Sequence, residues 1–137
     1  MENVIYEKLI KLANKSLKSS DVPVGAIIVK NGKVISKGFN KREKNKKIIS
    51  HAEIDAILKA NRKLKSCFLY DCELYVTLKP CEMCAKVINN ARISKVYYLL
   101  EKPSSKKEYT KTEYIYQQNK YCKIYKKMLQ DFFNKLR

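Results

Sequence analysis

Leu74-Tyr75-Val76-Thr77-Leu78-Lys79-Pro80-Cys81-Glu82-Met83-Cys84 carries an apolar, strand-like run into a proline and then into two thiols one helical turn apart. β-branched and aromatic residues favour the extended run, and proline suits the first turn of a helix because no N–H is needed there. A helix is predicted over Glu82–Asn89, followed by a second strand over Lys95–Leu100. Strand, helix and strand in that order imply parallel pairing with a right-handed crossover. Upstream, Val24–Lys30 reads as a strand buried on both faces. Asn31-Gly32 is a hairpin-turn signal, and Val34–Phe39 is the returning strand. Lys41–Lys47 reads as a basic loop, and Ala52–Leu64 as a helix with Ile54, Ile57, Leu58 and Leu64 facing inward. An amphipathic helix over residues 2–18 opens the chain, and another over about 114–136 closes it. The aromatic stripe of the last helix, from Tyr121 through Tyr125 to Phe132 and Phe133, has the period of a packing face. Glu101–Lys111 reads as an irregular polar segment. The whole chain, 1–137, is predicted to be one α/β domain of three layers, α/β/α, around a mixed sheet.

His51-Ala52-Glu53 gives the two thiols a chemical partner. A Cys-x-x-Cys pair alone has several uses: redox chemistry, structural zinc, or plain burial. A structural zinc site wants a fourth Cys or His at ligand spacing, and Cys67, Cys72 and Cys122 form no second pair with a His. His51 is the only histidine. One imidazole and two thiolates hold zinc by three protein ligands and leave its fourth position open. An open position on zinc is where water becomes a nucleophile near neutral pH. Glu53, two residues beyond His51, is then available to move protons. Cys81 and Cys84 fall at a predicted helix N-terminus, which favours thiolate over thiol.

The 137 residues contain 30 Lys and Arg against 13 Asp and Glu, a formal net charge of +17. Such an excess attracts polyanions, nucleic acid first among them, although lysine enrichment spread over every surface produces the same sum without a binding role. No apolar run reaches membrane-spanning length, so no membrane partner is expected. The first residues lack a signal-peptide layout, and five cysteines, an odd number, suit a reducing cytoplasm.

His51-Ala52-Glu53 with Pro80-Cys81-x-x-Cys84 resembles the zinc-dependent cytidine and adenosine deaminase superfamily, whose signature it matches. Asp21-Val-Pro-Val-Gly-Ala-Ile-Ile-Val29, Gly38-Phe39-Asn40 with its eleven-residue step to His51, Ala91-Arg92-Ile93 and Leu129-Gln-Asp-Phe-Phe133 are similar to one branch, the bacterial tRNA-specific adenosine deaminases. The likeness runs from about Asp21 to Leu100 and is patchy beyond. Lys47-Ile48-Ile49-Ser50 stands where that branch has an acidic-proline-threonine stretch, and its Lys-Thr-Gly-Ala-like stretch is not apparent within Glu101–Tyr114.

The resemblance implies a cytidine-deaminase-like fold, one Zn2+ per subunit on His51, Cys81 and Cys84, and Glu53 as the proton carrier. It implies hydrolytic deamination of adenosine to inosine at the wobble position of a tRNA anticodon. Asn40 can both give and accept hydrogen bonds to a purine edge. The resemblance places it against the target base with Val24 packing nearby, and Ala52 also falls among the substrate-binding residues. Phe133, Lys135 and Arg137 match the family's RNA-contacting C-terminal element, and the anticodon stem-loop, a homodimer and a cytoplasmic setting follow. Two other readings stay open: deamination of a free base, nucleoside or nucleotide of the guanine, cytidine or dCMP type, and a zinc-stabilised RNA-binding domain without activity.

Overall fold

The computed structural model describes residues 2–102 and 111–136. The Asn31-Gly32 turn has positive φ at both residues, 50° and 77°, and joins Lys30 directly to its partner Lys33. This is the two-residue loop whose twist matches that of the strands it joins. Strands β1 (Gly25–Lys30) and β2 (Lys33–Phe39) therefore pair antiparallel. On its other side β1 pairs antiparallel with β3 (Cys72–Leu78). β3 pairs parallel with β4 (Lys95–Leu100), and β4 pairs parallel with β5 (Glu113–Tyr116). The sheet order is β2-β1-β3-β4-β5, a mixed sheet.

Alternation along the strands sends side chains to two cores. Ala26, Ile28, Leu74, Val76 and Val96 pack beneath α3 (Ala52–Leu64) and α4 (Glu82–Asn90). Ile27, Val29, Tyr75 and Leu99 pack against α1 (Glu2–Ser16) and α5 (Lys120–Lys135), with Leu9, Tyr121 and Tyr125 opposite them. The result is the predicted three-layer α/β/α arrangement. β1 is buried on both faces because helices cover both sides of it, as its continuous apolar run requires. Burying each large aliphatic side chain stabilises the fold by about 1.5–3 kcal/mol.

Several expectations need correction. The final helix does not begin near 114. Glu113–Tyr116 is the edge strand β5, and α5 starts only after Asn119, whose side chain accepts from the Tyr121 N–H at 2.9 Å. Four residues are too few to show a period, and only the neighbouring β4 defines them as a strand. α1 stops at Ser16 and tightens into a 3-10 turn, Leu17–Ser19. Leu58 is 53% exposed, because the small Ala56 and Ala60 occupy the tightest part of the interface with the sheet. Phe133 of the aromatic stripe is exposed, as are Ile124 on the same helix and Leu136 at its C-cap. Lys41–Lys47 contains a one-turn helix, α2 (Arg42–Asn45). Most of the predicted irregular segment Glu101–Lys111 lies outside the described residues.

Candidate active site and metal centre

Two helix N-termini meet at the C-terminal end of β3. His51 is the N-cap residue of α3 and Cys81 that of α4, each extended, with ψ of 153° and 172°. Pro80 lies one residue before the cap, outside the first turn. There it keeps Lys79 out of the helical region and turns the strand toward the helix. Close packing holds α3 to the sheet. A Cβ on Gly38 would lie 2.4 Å from the Ala52 carbonyl oxygen and 2.8 Å from the Ala56 nitrogen, so only glycine admits the helix at this distance. The Ser36 hydroxyl donates to the Ala56 carbonyl at 2.7 Å.

The segment between β2 and His51 is tied at both ends. The Asn40 N–H donates to the Val24 carbonyl at 3.0 Å, and the Lys41 N–H to the Ser50 carbonyl at 2.9 Å. Asp21, 1% exposed, holds its middle. Its carboxylate accepts from the Glu43 N–H at 2.6 Å, the Lys44 N–H at 3.3 Å and the Ser19 hydroxyl at 2.6 Å. It thus satisfies the orphan donors of α2, which has no cap of its own.

His51 Nδ1 lies 3.4 Å from Cys84 Sγ and 3.8 Å from Cys81 Sγ. A tetrahedral zinc with bonds of ~2.3 Å to sulfur and ~2.05 Å to nitrogen separates such atoms by about 3.5 Å. Among the described residues these three form the group of side chains that can hold a metal ion, all their ligand atoms lying within 4.8 Å of one another. The donor set and its spacing fit zinc. Cys81 is held down to about 3, first by the Cys84 thiol that hydrogen-bonds it and then by His51. Cys84, buried beside that thiolate, is pushed up, and the contact with Cys81 raises His51. Glu53 is buried directly behind them, and burial pushes its carboxyl up from the ordinary carboxylate range.

A cavity of about 160 Å³ opens onto this group. Asn40, Val24, Ala52, Glu53, His51 and Cys81 all line it, so the sequence-predicted residues around the base converge on one space. Asn40 is also a turn residue: its Nδ2 donates to the Val22 carbonyl at 3.1 Å and its Oδ1 accepts from the Arg42 N–H at 3.2 Å. An amide keeps one donor hydrogen and one lone pair beyond these bonds. Phe133 and Lys135 sit exposed near the end of α5 and do not line the cavity, and Arg137 lies outside the described residues. Arg42, Lys79 and Lys102 do line it, and sequence reasoning assigned them no role. Lys79 was in view within the Pro80-Cys81 stretch, but a lysine in a lysine-rich chain carries no signal by itself. Asp21 stands out in the sequence only as the start of a strand, since the Glu43 and Lys44 N–H groups that it holds lie more than twenty residues away.

Comparison with known proteins agrees with this geometry. A tRNA-specific adenosine deaminase of Streptococcus pyogenes (serotype M18) is 40% identical over 97 residues, which cover 71% of this chain and 61% of that protein. The chain thus spans less than two thirds of the length of that relative. A solved chain from studies of A-to-I editing by tRNA deaminases at the wobble position superposes with a TM-score of 0.76 at 29% identity, covering 85% of this chain and 100% of that one. A guanine deaminase from Bacillus subtilis superposes with a TM-score of 0.68 at 34% identity, covering 74% of this chain and 65% of that one. Among the described residues no helix is long and apolar enough to cross a membrane. The MafB19-like deaminase model matches residues 2–137, nearly the whole length around the paired helix N-termini, and the chain belongs to that family.

Proposed function

We propose that this protein is a zinc-dependent hydrolytic deaminase that converts adenosine to inosine at the wobble position of a tRNA anticodon. One observation carries the chemistry: a His-Cys-Cys group at zinc spacing, with a buried carboxylate beside it, forms the end of a cavity that also holds Asn40. The tRNA substrate is supported by the names of the relatives that share this site.

His51, Cys81 and Cys84 would hold the zinc, which when bound supplies an acidified water and a Lewis acid. Glu53 accepts a proton from the attacking water and delivers it to the purine ring nitrogen, then takes the proton left on the added hydroxyl and passes it to the departing amine, so that the C–N bond breaks and ammonia leaves. Burial, which holds its carboxyl above the usual range, suits one group acting as base and then as acid. Asn40 holds the purine edge by hydrogen bonds, Val24 packs on the ring, and Ala52 leaves room beneath it. An anticodon-loop base is already unpaired, so placing it in the cavity costs only partial unstacking, a few kcal/mol at most. The same reading takes one zinc per subunit, a cytoplasmic homodimer, and contacts from Phe133, Lys135 and Arg137 to the anticodon stem-loop. The +17 charge is in keeping with an RNA partner.

The test incubates the purified protein with total tRNA, free adenosine, guanine and cytidine side by side. Inosine mapped to the first anticodon position is the expected outcome. Ammonia released from a free base or nucleoside, with tRNA untouched, would refute the tRNA substrate and leave the deaminase chemistry standing. Metal-loaded protein that binds RNA and releases no ammonia from any substrate would refute the chemistry.

A further inference from the structure

The cavity beside His51 is unusually charged for one that receives a neutral purine. Among the described residues that line it, Arg42, Lys79 and Lys102 are cations and the buried Glu53 is the carboxylate. A guanidinium has five N–H donors and an ammonium three, more than the edge of a neutral base calls for, even with Lys79 paired to Glu101. We propose that Arg42, Lys79 and Lys102 form a phosphate-binding rim, so that a phosphate ester adjoining the target nucleoside is part of what this site recognises. The proposal rests on the deaminase reading and adds to it the recognition of the substrate's backbone.

Two of the cations are held in place by the fold. Arg42 follows the pocket residue Asn40 by two positions, and its N–H donates to the Asn40 side chain. The next two N–H groups are bonded to the buried Asp21, so the root of the guanidinium cannot drift from the base edge. Lys79 is tied to β4 by its N–H, which donates to the Leu100 carbonyl at 3.0 Å. Its Nζ lies 2.8 Å from Glu101 Oε1 and 5.5 Å from the centre of the Tyr98 ring, and the Tyr98 hydroxyl donates to the same carboxylate at 2.7 Å. An ammonium has three donors, so the pair with Glu101 leaves capacity for a phosphate oxygen. Lys102 extends the rim past Glu101. The rim thus draws on three separated parts of the chain, meeting at one opening.

The test compares two short single-stranded oligoribonucleotides. One carries ordinary phosphodiesters; in the other, the linkages flanking the target adenosine are replaced by uncharged methylphosphonates. Neutralising a linkage on one side at a time tells a 5′ contact from a 3′ contact. The wild-type protein is expected to lose about tenfold in kcat/KM, mainly through KM, when the linkage is neutralised, the worth of one charge-assisted contact. The Arg42→Ala/Lys79→Ala double variant should show little difference between the two substrates. In the same variant the salt dependence of oligonucleotide binding should become shallower by roughly 0.7 in log–log slope per lost contact. Lys11→Ala, which removes an exposed cation from α1 away from the cavity, should leave the ratio between the substrates unchanged. Losses that simply add, with the double variant still discriminating tenfold, would overturn the proposal. If the wild-type protein deaminates neither oligonucleotide nor any substrate of the preceding test, total tRNA included, the deaminase reading falls instead. The rim is then judged by binding alone, and an unaltered salt slope in the double variant overturns it.

Discussion

Gly38→Ala tests whether close packing of a helix on a strand sets the position of the metal-binding group. The added methyl would sit 2.4 Å from the Ala52 carbonyl oxygen, 2.8 Å from the Ala56 nitrogen and 3.0 Å from Asp55 Cβ. Ordinary contact begins near ~3.4 Å, so about 1 Å of relief is needed between β2 and the first turns of α3. The clashing atoms are mostly backbone, which cannot swing aside as a side chain does. Relief must therefore come from lifting the start of α3, and His51 is its N-cap. Overpacking of this kind costs typically ~1–3 kcal/mol of stability. A displacement of about 1 Å at a reacting centre can cost ~100-fold in rate. His51 Nδ1 stands 3.4 and 3.8 Å from the two sulfurs, leaving little room for such a shift. The variant should melt several degrees lower, bind zinc more weakly, and lose activity by more than its loss of folded protein explains. Denaturation, metal content after dialysis and kcat on the folded fraction are the measurements. A variant with native zinc content and native turnover would refute the reasoning, because it would show that α3 can yield without moving His51.

Glu53→Ala should keep zinc bound and abolish turnover; activity within tenfold of wild type would mean that another group carries the proton. Asp21→Ala leaves the Glu43 and Lys44 N–H groups without their acceptor, so it should destabilise by about 2 kcal/mol, as the loss of a buried cap does. It should also raise KM more than it lowers kcat. Urea unfolding with steady-state kinetics reads both, and a change below ~0.5 kcal/mol would discount the clamp. Chelation should abolish activity and lower the melting temperature while far-ultraviolet circular dichroism persists, because the helices bearing the ligands are anchored in the apolar core beneath α3 and α4. Elemental analysis should return one zinc per subunit; a protein fully active after metal removal would contradict the mechanism.

Much of the fold was legible because it is local. Asn31-Gly32 encodes a turn in the φ preferences of two residues, and the turn forms where it was read. The helix Ala52–Leu64 and the strand Lys95–Leu100 follow from apolar period and have the predicted bounds. Cys81 and Cys84 share a helix face because one turn separates them. Edge strand β5 was not legible, since Glu113–Tyr116 is an extended segment until β4 offers it a ladder. Leu58 was misjudged because a wide apolar stripe does not say which of its margins the sheet covers.

What the amino-acid sequence determined by itself was chemistry and periodicity: which residues can ligate zinc, which can carry a proton, and where the chain turns or coils. Tertiary structure alone decided which of those residues meet. It brought His51 to Cys81 and Cys84 across the ends of two helices, set Asp21 beneath the Arg42–Asn45 turn, and gathered Arg42, Lys79 and Lys102 around one opening. The physical reason is distance along the chain. Local preferences act over three or four residues, whereas these contacts span twenty to sixty and exist only once both cores have closed around the sheet.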